Sequence, residues 1–529
     1  MSFSRLSFSV ILALFFVLFD NITFATKVLS VYTPSWENAP FLVSLGIVLG
    51  CVIVMVILLI SNRYTFKPIA IVLLLCSSFT NYFMQTYRVI IDDTMIQNTL
   101  ETNAAESLDL ITLRLVGYVV FLGILPSIAV YYAPIRYGSF KKELLDTIKG
   151  VVASIVLIVV MLFSFSQYYT SFFRENKPLR MYTNPTFYLF STGKFVYDTF
   201  YKRENTLKPL GRDAKQVKGV GEGRKLTIMV VGEAARANRF SLNGYERQTN
   251  PLLSKENIIN LSNVSSCGTS TAISVPCMFS HLERRNYNDA TAKNTENVID
   301  IVHHAGVSVL WRDNNSDSKG VAIRVPYEDF RTPQKNTLCD EECRDEGMLV
   351  GLQEYINAQK GDILIVLHQM GNHGPAYYKR YPKAFETFTP TCKTNQVEQC
   401  TPEEIGNAYD NAIVYTDYFL SKTIELLKEN ETAFETALVY MADHGESLGE
   451  KGLYLHGIPY FMAPREQTHV GALLWFGKGF EAREEIQKLR TNAENAYSHD
   501  NLFHTLLGLM RVETTVYDKT KDILYKGNP

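Results

Sequence analysis

Apolar residues along this chain follow two rhythms. Up to about Phe173 they form unbroken stretches, at 8–24, 40–61, 66–87, 113–135 and 148–173, each close to the roughly 20 residues that cross a bilayer core. Beyond Lys225 the apolar runs are short and alternate with helical periodicity. The first rhythm predicts five transmembrane helices. The second predicts an α/β domain whose mainly parallel sheet lies between helices. Expected strands are 226–231, 307–311, 363–367, 437–441 and 471–476, and expected helices are 295–304, 402–428 and 499–511.

Between the two rhythms, residues 174–223 read as a connector. Pro178, Pro185 and Pro209 punctuate it, its aromatics at 186–190 and 195–201 suit amphipathic pieces at a membrane surface or helices docked on the following domain, and 215–225 is rich in glycine and lysine. The expected domains are therefore 1–173, 174–223 and 224–529. The first apolar stretch is interrupted by Asp20 and Asn21, yet no small-residue cleavage site closes it and four further stretches follow, so it is expected to span and not to be cleaved.

Charge orients the spans. Arg5, Arg63, Lys67, Arg136, Lys141, Lys142 and Lys149 fall in alternate connections, whereas the connection from Arg88 to Arg114 carries Asp92, Asp93, Glu101, Glu106 and Asp109. Cations favour the cytoplasmic side, so the N-terminus is expected inside and everything beyond Phe173 outside. The formal net charge of −2 and the lack of a basic stripe exclude a general nucleic-acid binder. Cys51 and Cys76 lie in expected spans. The other six cysteines form close pairs beyond them: Cys267 with Cys277, Cys339 with Cys343, and Cys392 with Cys400. Outside the cytoplasm such a set implies disulfides, with sequence neighbours the favoured partners and connectivity itself open.

Polar clusters follow four of the expected strands: Gly232-Glu233, residues 312–317, residues 368–374, and Asp443-His444. Ligands of parallel α/β sheets gather at the carboxyl ends of the strands, so these clusters are expected to converge. Glu233, Asp443 and His444, with a hydroxyl as fourth donor, make an oxygen and nitrogen set that zinc accepts. The hydroxyls on offer are Thr269, Ser270, Thr271 and Ser274, held between Cys267 and Cys277. A bare hydroxyl is a poor nucleophile until a base or metal activates it.

With these residues in hand, the chain resembles the lipid A phosphoethanolamine transferases, the membrane family that includes the mobile colistin-resistance enzymes, within the alkaline phosphatase superfamily. The resemblance covers essentially the whole chain and rests on Cys267-Gly-Thr-Ser-Thr-Ala272 with Pro276-Cys277, Gly232-Glu233, Asn314-Asn315 with Lys319, residues 368–375, and Asp443-His-Gly-Glu446 with His456. It implies an alkaline phosphatase/sulfatase-like periplasmic domain behind five helices in a bacterial inner membrane. It implies Thr271 as nucleophile and, around Zn2+, Glu233, Thr271, Asp443 and His444. His373 and His456 would serve the phosphoryl group or a second metal, and Asn315 and Lys319 the substrate head group. The expected reaction moves phosphoethanolamine from phosphatidylethanolamine to a lipid A phosphate through a phospho-threonine. It releases diacylglycerol and reduces surface negative charge, which protects against cationic peptides and polymyxin. The partners are then phosphatidylethanolamine, lipid A and the membrane, with the protein itself a monomer.

Rivals are a polyglycerol-phosphate synthase of the lipoteichoic acid type, a membrane-bound phosphatase or sulfatase, and a head-group receptor without turnover. The extracytoplasmic cysteine pairs weigh against the first, the five apolar stretches against the second, and intact Thr271, Asp443 and His444 against the third. Thr271 also suits the start of a helix, a place compatible with catalysis because the helix N-terminus favours negative charge. His368 reads as a strand-end residue with internal hydrogen bonds.

Overall fold

In the computed structural model, residues 2–102, 104–174, 176–201, 206–217, 223–481 and 483–525 are described, so the glycine and lysine stretch expected in the connector lies partly outside them. The chain divides into two units, one comprising Met1–Ile96 with Ile111–Val196 and the other Gln97–Leu110 with Tyr197–Pro529.

The first unit is helical. Helix α1 (Arg5–Phe15) runs on through a π-helical turn, Phe16–Asp20, and meets α2 (Ile22–Val31) at 62°. Helices α3 (Ala39–Ile60), α4 (Phe66–Thr86), α5 (Leu113–Tyr132) and α6 (Phe140–Ser164) are each long and apolar enough to cross a membrane, and the bent α1–α2 pair makes a fifth candidate span. The bend follows from Asn21, whose backbone leaves the helical region and whose side-chain amide donates to the carbonyl of Phe16 at 2.9 Å. In α5 the helix widens into a π turn, Val119–Ile124, just before Pro126, which has no N–H to continue the ladder.

The last span differs from its expected range. It starts at Phe140, so Lys141, Lys142 and Lys149 ride on its first turns, and it ends at Ser164; Phe165 is non-helical and a separate helix covers Ser166–Arg174. Straight-chain lysines are good helix formers whose stems can lie along apolar surface, which hid this start from a hydropathy reading. Arg5 fixes the same end. Its guanidinium donates to Glu143 at 2.9 Å and to the carbonyl of Ser61 at 2.8 Å, and it also meets Thr147. A further helix, α7 (Thr186–Val196), belongs to this unit.

The second unit is built on a seven-stranded sheet. In chain order its elements are β1 (Arg224–Gly232), β2 (Ile258–Asn260), α8 (Thr271–Phe279), α9 (Val298–His304), β3 (Ser308–Asp313), β4 (Tyr327–Asp329), β5 (Ile363–His368), α10 (Pro402–Glu429), β6 (Phe434–Ala442), β7 (Ala472–Phe476) and α11 (Leu502–Leu509). The strand order is β2–β7–β6–β1–β5–β3–β4. Neighbours from β6 to β4 pair in parallel, and β7 runs antiparallel to both β6 and β2. Central strands read as continuous apolar runs because both faces are covered: Ile228, Val230, Ile365, Leu367 and Leu438 are all fully buried. Helix α10 is set by a capping box in which Thr401 and Glu404 satisfy each other's backbone N–H groups, with Pro402 at its first turn. Register then aligns the site: Gly232 pairs with Ala442 and Val231 with His368, so the residues that follow emerge at one edge.

Candidate active site

Glu233 leaves the end of β1 and Asp443-His444 the end of β6, side by side because the strands are parallel neighbours in register. Ala234, next in line, holds a left-handed φ of 52°, a strained state for a residue with a Cβ. Its N–H is tied to Asp443 Oδ1 at 3.1 Å, and the same oxygen accepts from the His444 N–H at 2.7 Å. Gly371 comes so close to Glu233 that a Cβ there would sit 2.9 Å from the Glu233 carbonyl oxygen, and its φ of +51° also favours glycine.

Thr271 is the first residue of α8, with Ser270 at the N-cap and no side-chain capping bond. The Thr271 hydroxyl points away from the helix and donates to Glu233 Oε2 at 3.0 Å, with His444 Nε2 3.4 Å away. The disulfide Cys267–Cys277 brackets the loop, which is anchored on both sides. Gly268 N–H donates to Ser274 Oγ at 2.9 Å, and Cys267 N–H donates to His499 Nδ1 at 3.0 Å. Disulfides also join Cys339 to Cys343 and Cys392 to Cys400.

His444 Nε2 lies 3.2 Å from Glu233 Oε1 and 3.3 Å from Asp443 Oδ2, and all three residues are fully buried. Those two carboxylate oxygens have no hydrogen-bond partner. Burial pushes Asp443 up to about 7, with the Glu233 charge adding to it; burial pulls His444 down, but the Asp443 and Glu233 carboxylates outweigh it and raise it to about 10. Burial works on Glu233 as well, yet the His444 charge prevails and holds its carboxyl below the usual range. Two buried carboxylates against one imidazole leave an unbalanced negative charge, and the orphaned oxygens converge with Nε2 on one place. Oxygen and nitrogen donors at this spacing fit a small divalent cation.

A second group adjoins the first. His456 Nδ1 is 2.8 Å from Glu446 Oε2, and the Tyr377 hydroxyl donates to Glu446 Oε1 at 2.7 Å. The His444 and His456 rings are 4.3 Å apart and the His373 and His456 rings 5.4 Å. A Cβ on Gly374 would stand 2.5 Å from Glu446 Oε1, so glycine there lets the carboxylate approach. His444, Glu446 and His456 also satisfy the spacing of a metal group.

Asn315 and Lys319 sit beside this centre with their polar atoms already engaged. The Asn315 amide donates to Glu233 Oε2 at 2.8 Å and to the Gln369 carbonyl at 2.7 Å, so it braces the carboxylate. Lys319, at a left-handed φ of 50°, donates to the carbonyls of Ser316 and Glu101 at 3.1 and 3.0 Å. Glu101 comes from the segment between α4 and α5, which the sequence presented only as an acidic connection. In the same segment Asp109 pairs with Lys379 and Arg380.

Three residues outside the expected catalytic and ligand set shape the site's geometry: His368, read from the sequence as a strand-end residue, and His499 and Asp345, which the sequence left without a role. His368 does make its internal hydrogen bond, to Asp313 Oδ2 at 2.9 Å, with Trp311 Nε1 donating to the same oxygen at 2.8 Å. His499 bridges two parts of the site: its Nδ1 accepts from Cys267 N–H and its Nε2 donates to the Ala442 carbonyl at 2.9 Å. Asp345 accepts from the N–H groups of Met370 and Gly371 and from Asn314, and so fixes the loop against Glu233. Their partners are backbone groups or distant residues, which leave no motif in the sequence.

The chain is similar to known proteins along its whole length. Residues 225–512 match the Sulfatase family, and residues 49–200 match the family described as Phosphoethanolamine transferase EptA/EptB. The chain is 43% identical over 530 residues to the Escherichia coli phosphatidylethanolamine transferase Mcr-1, spanning 96% of this chain and 95% of that protein. It is 40% identical over 531 residues to phosphoethanolamine transferase EptA of Escherichia coli K12, spanning 99% and 97%. The structure of the integral membrane lipooligosaccharide phosphoethanolamine transferase A from Neisseria meningitidis is similar over 99% of both chains, with a TM-score of 0.94 at 36% identity.

Proposed function

We propose that this chain, which belongs to the phosphoethanolamine transferase family, moves phosphoethanolamine from phosphatidylethanolamine to a lipid A phosphate through a covalent phospho-threonine on Thr271. The observation that carries this reading is the Thr271 hydroxyl, at the first residue of a helix and hydrogen-bonded to Glu233 beside His444.

In the first step the Thr271 oxygen attacks phosphorus, its proton passes to Glu233, and the bond from phosphorus to the diacylglycerol oxygen breaks. That oxygen takes a proton on leaving, which His456, held at Nδ1 by Glu446, would give from Nε2. In the second step an oxygen of the lipid A phosphate attacks the same phosphorus, the threonine oxygen leaves and regains its proton, and the acceptor's proton replaces the one lost to diacylglycerol. Phosphoryl transfer needs mainly positioning and charge neutralisation. Glu233, Thr271, Asp443 and His444 would hold Zn2+, which supplies a lowered hydroxyl pKa and a positive charge facing the phosphoryl oxygens. His373 serves the phosphoryl group or, with His456, a second metal. Lys319 serves the head group once its amine leaves the carbonyls it now holds, and Asn315 supports it by bracing Glu233.

In this reading residues 1–173 are the membrane domain of an inner-membrane monomer, 174–223 the connector, and 224–529 the periplasmic catalytic domain. The product carries less surface negative charge, hence resistance to polymyxin. The test is to incubate the purified protein with phosphatidylethanolamine and no acceptor. One phosphoethanolamine is expected on the peptide containing Thr271, and lipid A added afterwards should remove it. The group found on Ser270 or Ser274, or no adduct with full transfer, overturns the mechanism.

A further inference from the structure

We infer that Asp109, in the connection between α4 and α5, is a positioning residue for His373 and acts on it through the guanidinium of Arg380; the inference rests on the part His373 plays in the proposed reaction. All three residues lie in the sheet-bearing unit, which includes Gln97–Leu110. The three nitrogens of Arg380 face three different acceptors. Nε donates to the His373 carbonyl at 2.6 Å, Nη1 pairs with Glu342, and Nη2 lies 3.4 Å from Asp109 Oδ2. The Arg380 side chain is 1% exposed, so its charge needs those carboxylates. A guanidinium is planar and rigid, and its donors move as one body. Whatever sets Nη1 and Nη2 therefore sets the direction of Nε.

The loop that carries His373 is held from two sides. On one, Asp345 accepts from the N–H groups of Met370 and Gly371, and Asn372 N–H donates to the Glu233 carbonyl at 3.0 Å. On the other, past Asn372, the hold passes to Arg380. His373 N–H makes a long bond of 3.3 Å to the Met370 carbonyl, whereas the His373 carbonyl takes the short one from Nε. A turn of the guanidinium plane would carry that carbonyl with it and shift the imidazole, whose ring stands 5.4 Å from that of His456.

Asp109 is itself tied at further points, so it can hold the fork still. Its carboxylate also pairs with Lys379, and its backbone carbonyl accepts from the Asn395 amide. Glu342 is the local anchor, set between Cys339 and Cys343, which a disulfide joins. Asp109 is the distant one, 271 positions from Arg380, and it arrives on a connection between two spans. Removing its charge leaves Arg380 paired with Glu342, so the buried cation is not orphaned. What is lost is the second fix on the plane of the fork, and with it the placement of His373.

The test is a double-mutant cycle in the full-length protein in detergent, with steady-state transfer and the unfolding midpoint measured for each variant. Asp109→Asn should lower kcat roughly 10-fold, as loss of an orienting partner does, with KM and the midpoint little changed. Arg380→Lys keeps the charge without the fork and should lower kcat at least as much. In a His373→Ala background Asp109→Asn should have almost no further effect, because the side chain it positions is gone. Asp109→Glu keeps the charge and moves it by one methylene, so it should show a smaller loss of the same kind, again absent without His373; it carries the test where Asp109→Asn does not fold. A purely structural Asp109 would give the same loss in both backgrounds. Full multiplication of the two effects, or transfer at the parent rate by Asp109→Asn, overturns the inference and leaves the proposed reaction standing. Transfer at the parent rate by His373→Ala overturns the inference together with the role of His373, and leaves the phospho-threonine on Thr271 to its own test.

Discussion

Each unit of this protein buries carboxylates that no lysine or arginine neutralises among the described residues, and the two settle them with different chemistry. At the span break, Asp20 meets asparagine amides: Asn81 donates to its Oδ1 and Asn184 to its backbone carbonyl, while Ser77 lies within a continuous helix. At the sheet edge, Glu233 and Asp443 are given an imidazole, His444, and a hydroxyl at the start of a helix. The amide surroundings offer neutral hydrogen bonds and no nucleophile. The sheet-edge surroundings offer a nitrogen donor, a nucleophile aligned with a helix N-terminus, and a second histidine behind it. The first arrangement braces a bend; the second can do chemistry. What separates them is where the hydroxyl stands on its helix, since Ser77 lies inside α4 and Thr271 opens α8.

The sharpest way to break that contrast is to remove the hydroxyl that only the sheet edge presents. Thr271→Ala should lower transfer by about 10⁴-fold or more, as loss of a covalent nucleophile does, with lipid binding retained because the side chain makes no packing contact that alanine loses beyond one methyl. Thr271→Ser keeps the oxygen and loses the β-branch that restricts its rotamers, so partial activity is expected. Steady-state transfer and intact-mass detection of the adduct check both variants. Transfer at the parent rate by Thr271→Ala would mean that the helix-start hydroxyl is not what distinguishes the two centres.

Next in size is the metal set. Glu233→Gln, Asp443→Asn and His444→Ala should each lower bound zinc and cut transfer by roughly 10³-fold, since the remaining donors no longer balance the ion. Chelation of the parent protein should lower the unfolding midpoint of the sheet-bearing unit, because an ion bound only to the folded state stabilises it. Full zinc occupancy in all three variants would remove the basis for reading this centre as the chemical one.

Much of this was legible beforehand. The unbroken apolar stretches announced the spans, and the carboxyl-end clusters announced Glu233, Asp443 and His444, because strand register carries them to one edge. The start of α6 was not legible, since Lys141, Lys142 and Lys149 look like a loop in a hydropathy reading and like a snorkelling helix in the structure. The acidic connection between α4 and α5 read as bare charge, and only the tertiary structure shows Glu101 meeting Lys319 and Asp109 meeting Lys379. Asn315 is instructive in another way: motif pointed to the head group, whereas its amide lies on Glu233. A motif says that a residue matters and leaves open which neighbour it serves.

A smaller effect tests the layer behind the ligands. Glu446→Gln keeps the size of the side chain and removes the charge that orients His456 through Nδ1. Loss of such an orienting partner costs roughly 10–100-fold, and it should fall on kcat more than on KM, because the imidazole position matters most while the leaving oxygen departs. An equal loss confined to KM would assign Glu446 to substrate binding instead.

The smallest effect concerns His499, which clips the nucleophile loop to the strand that carries Asp443. Its imidazole accepts from Cys267 N–H and donates to the Ala442 carbonyl, so it must be neutral in one tautomer. Burial, chiefly, pulls it down to about 3, against about 6.5 when unfolded. Below pH 6.5 the unfolded chain binds a proton that the folded chain refuses, so the stability of this unit should fall as pH drops toward 3, by at most about 1.4 kcal/mol per pH unit. His499→Gln reaches the Ala442 carbonyl with its amide and leaves Cys267 N–H without its acceptor, which should cost about 1–3 kcal/mol at pH 8. Glutamine does not titrate, so the gap between parent and variant should narrow as the pH is lowered from 8 to 5. Urea unfolding of the full-length protein in detergent, followed through Trp311 and Trp475, measures both. A gap that stays constant over that range would show that His499 is not held neutral between the loop and the strand, and the registration of Thr271 against Asp443 would then have to come from the disulfide and the helix alone.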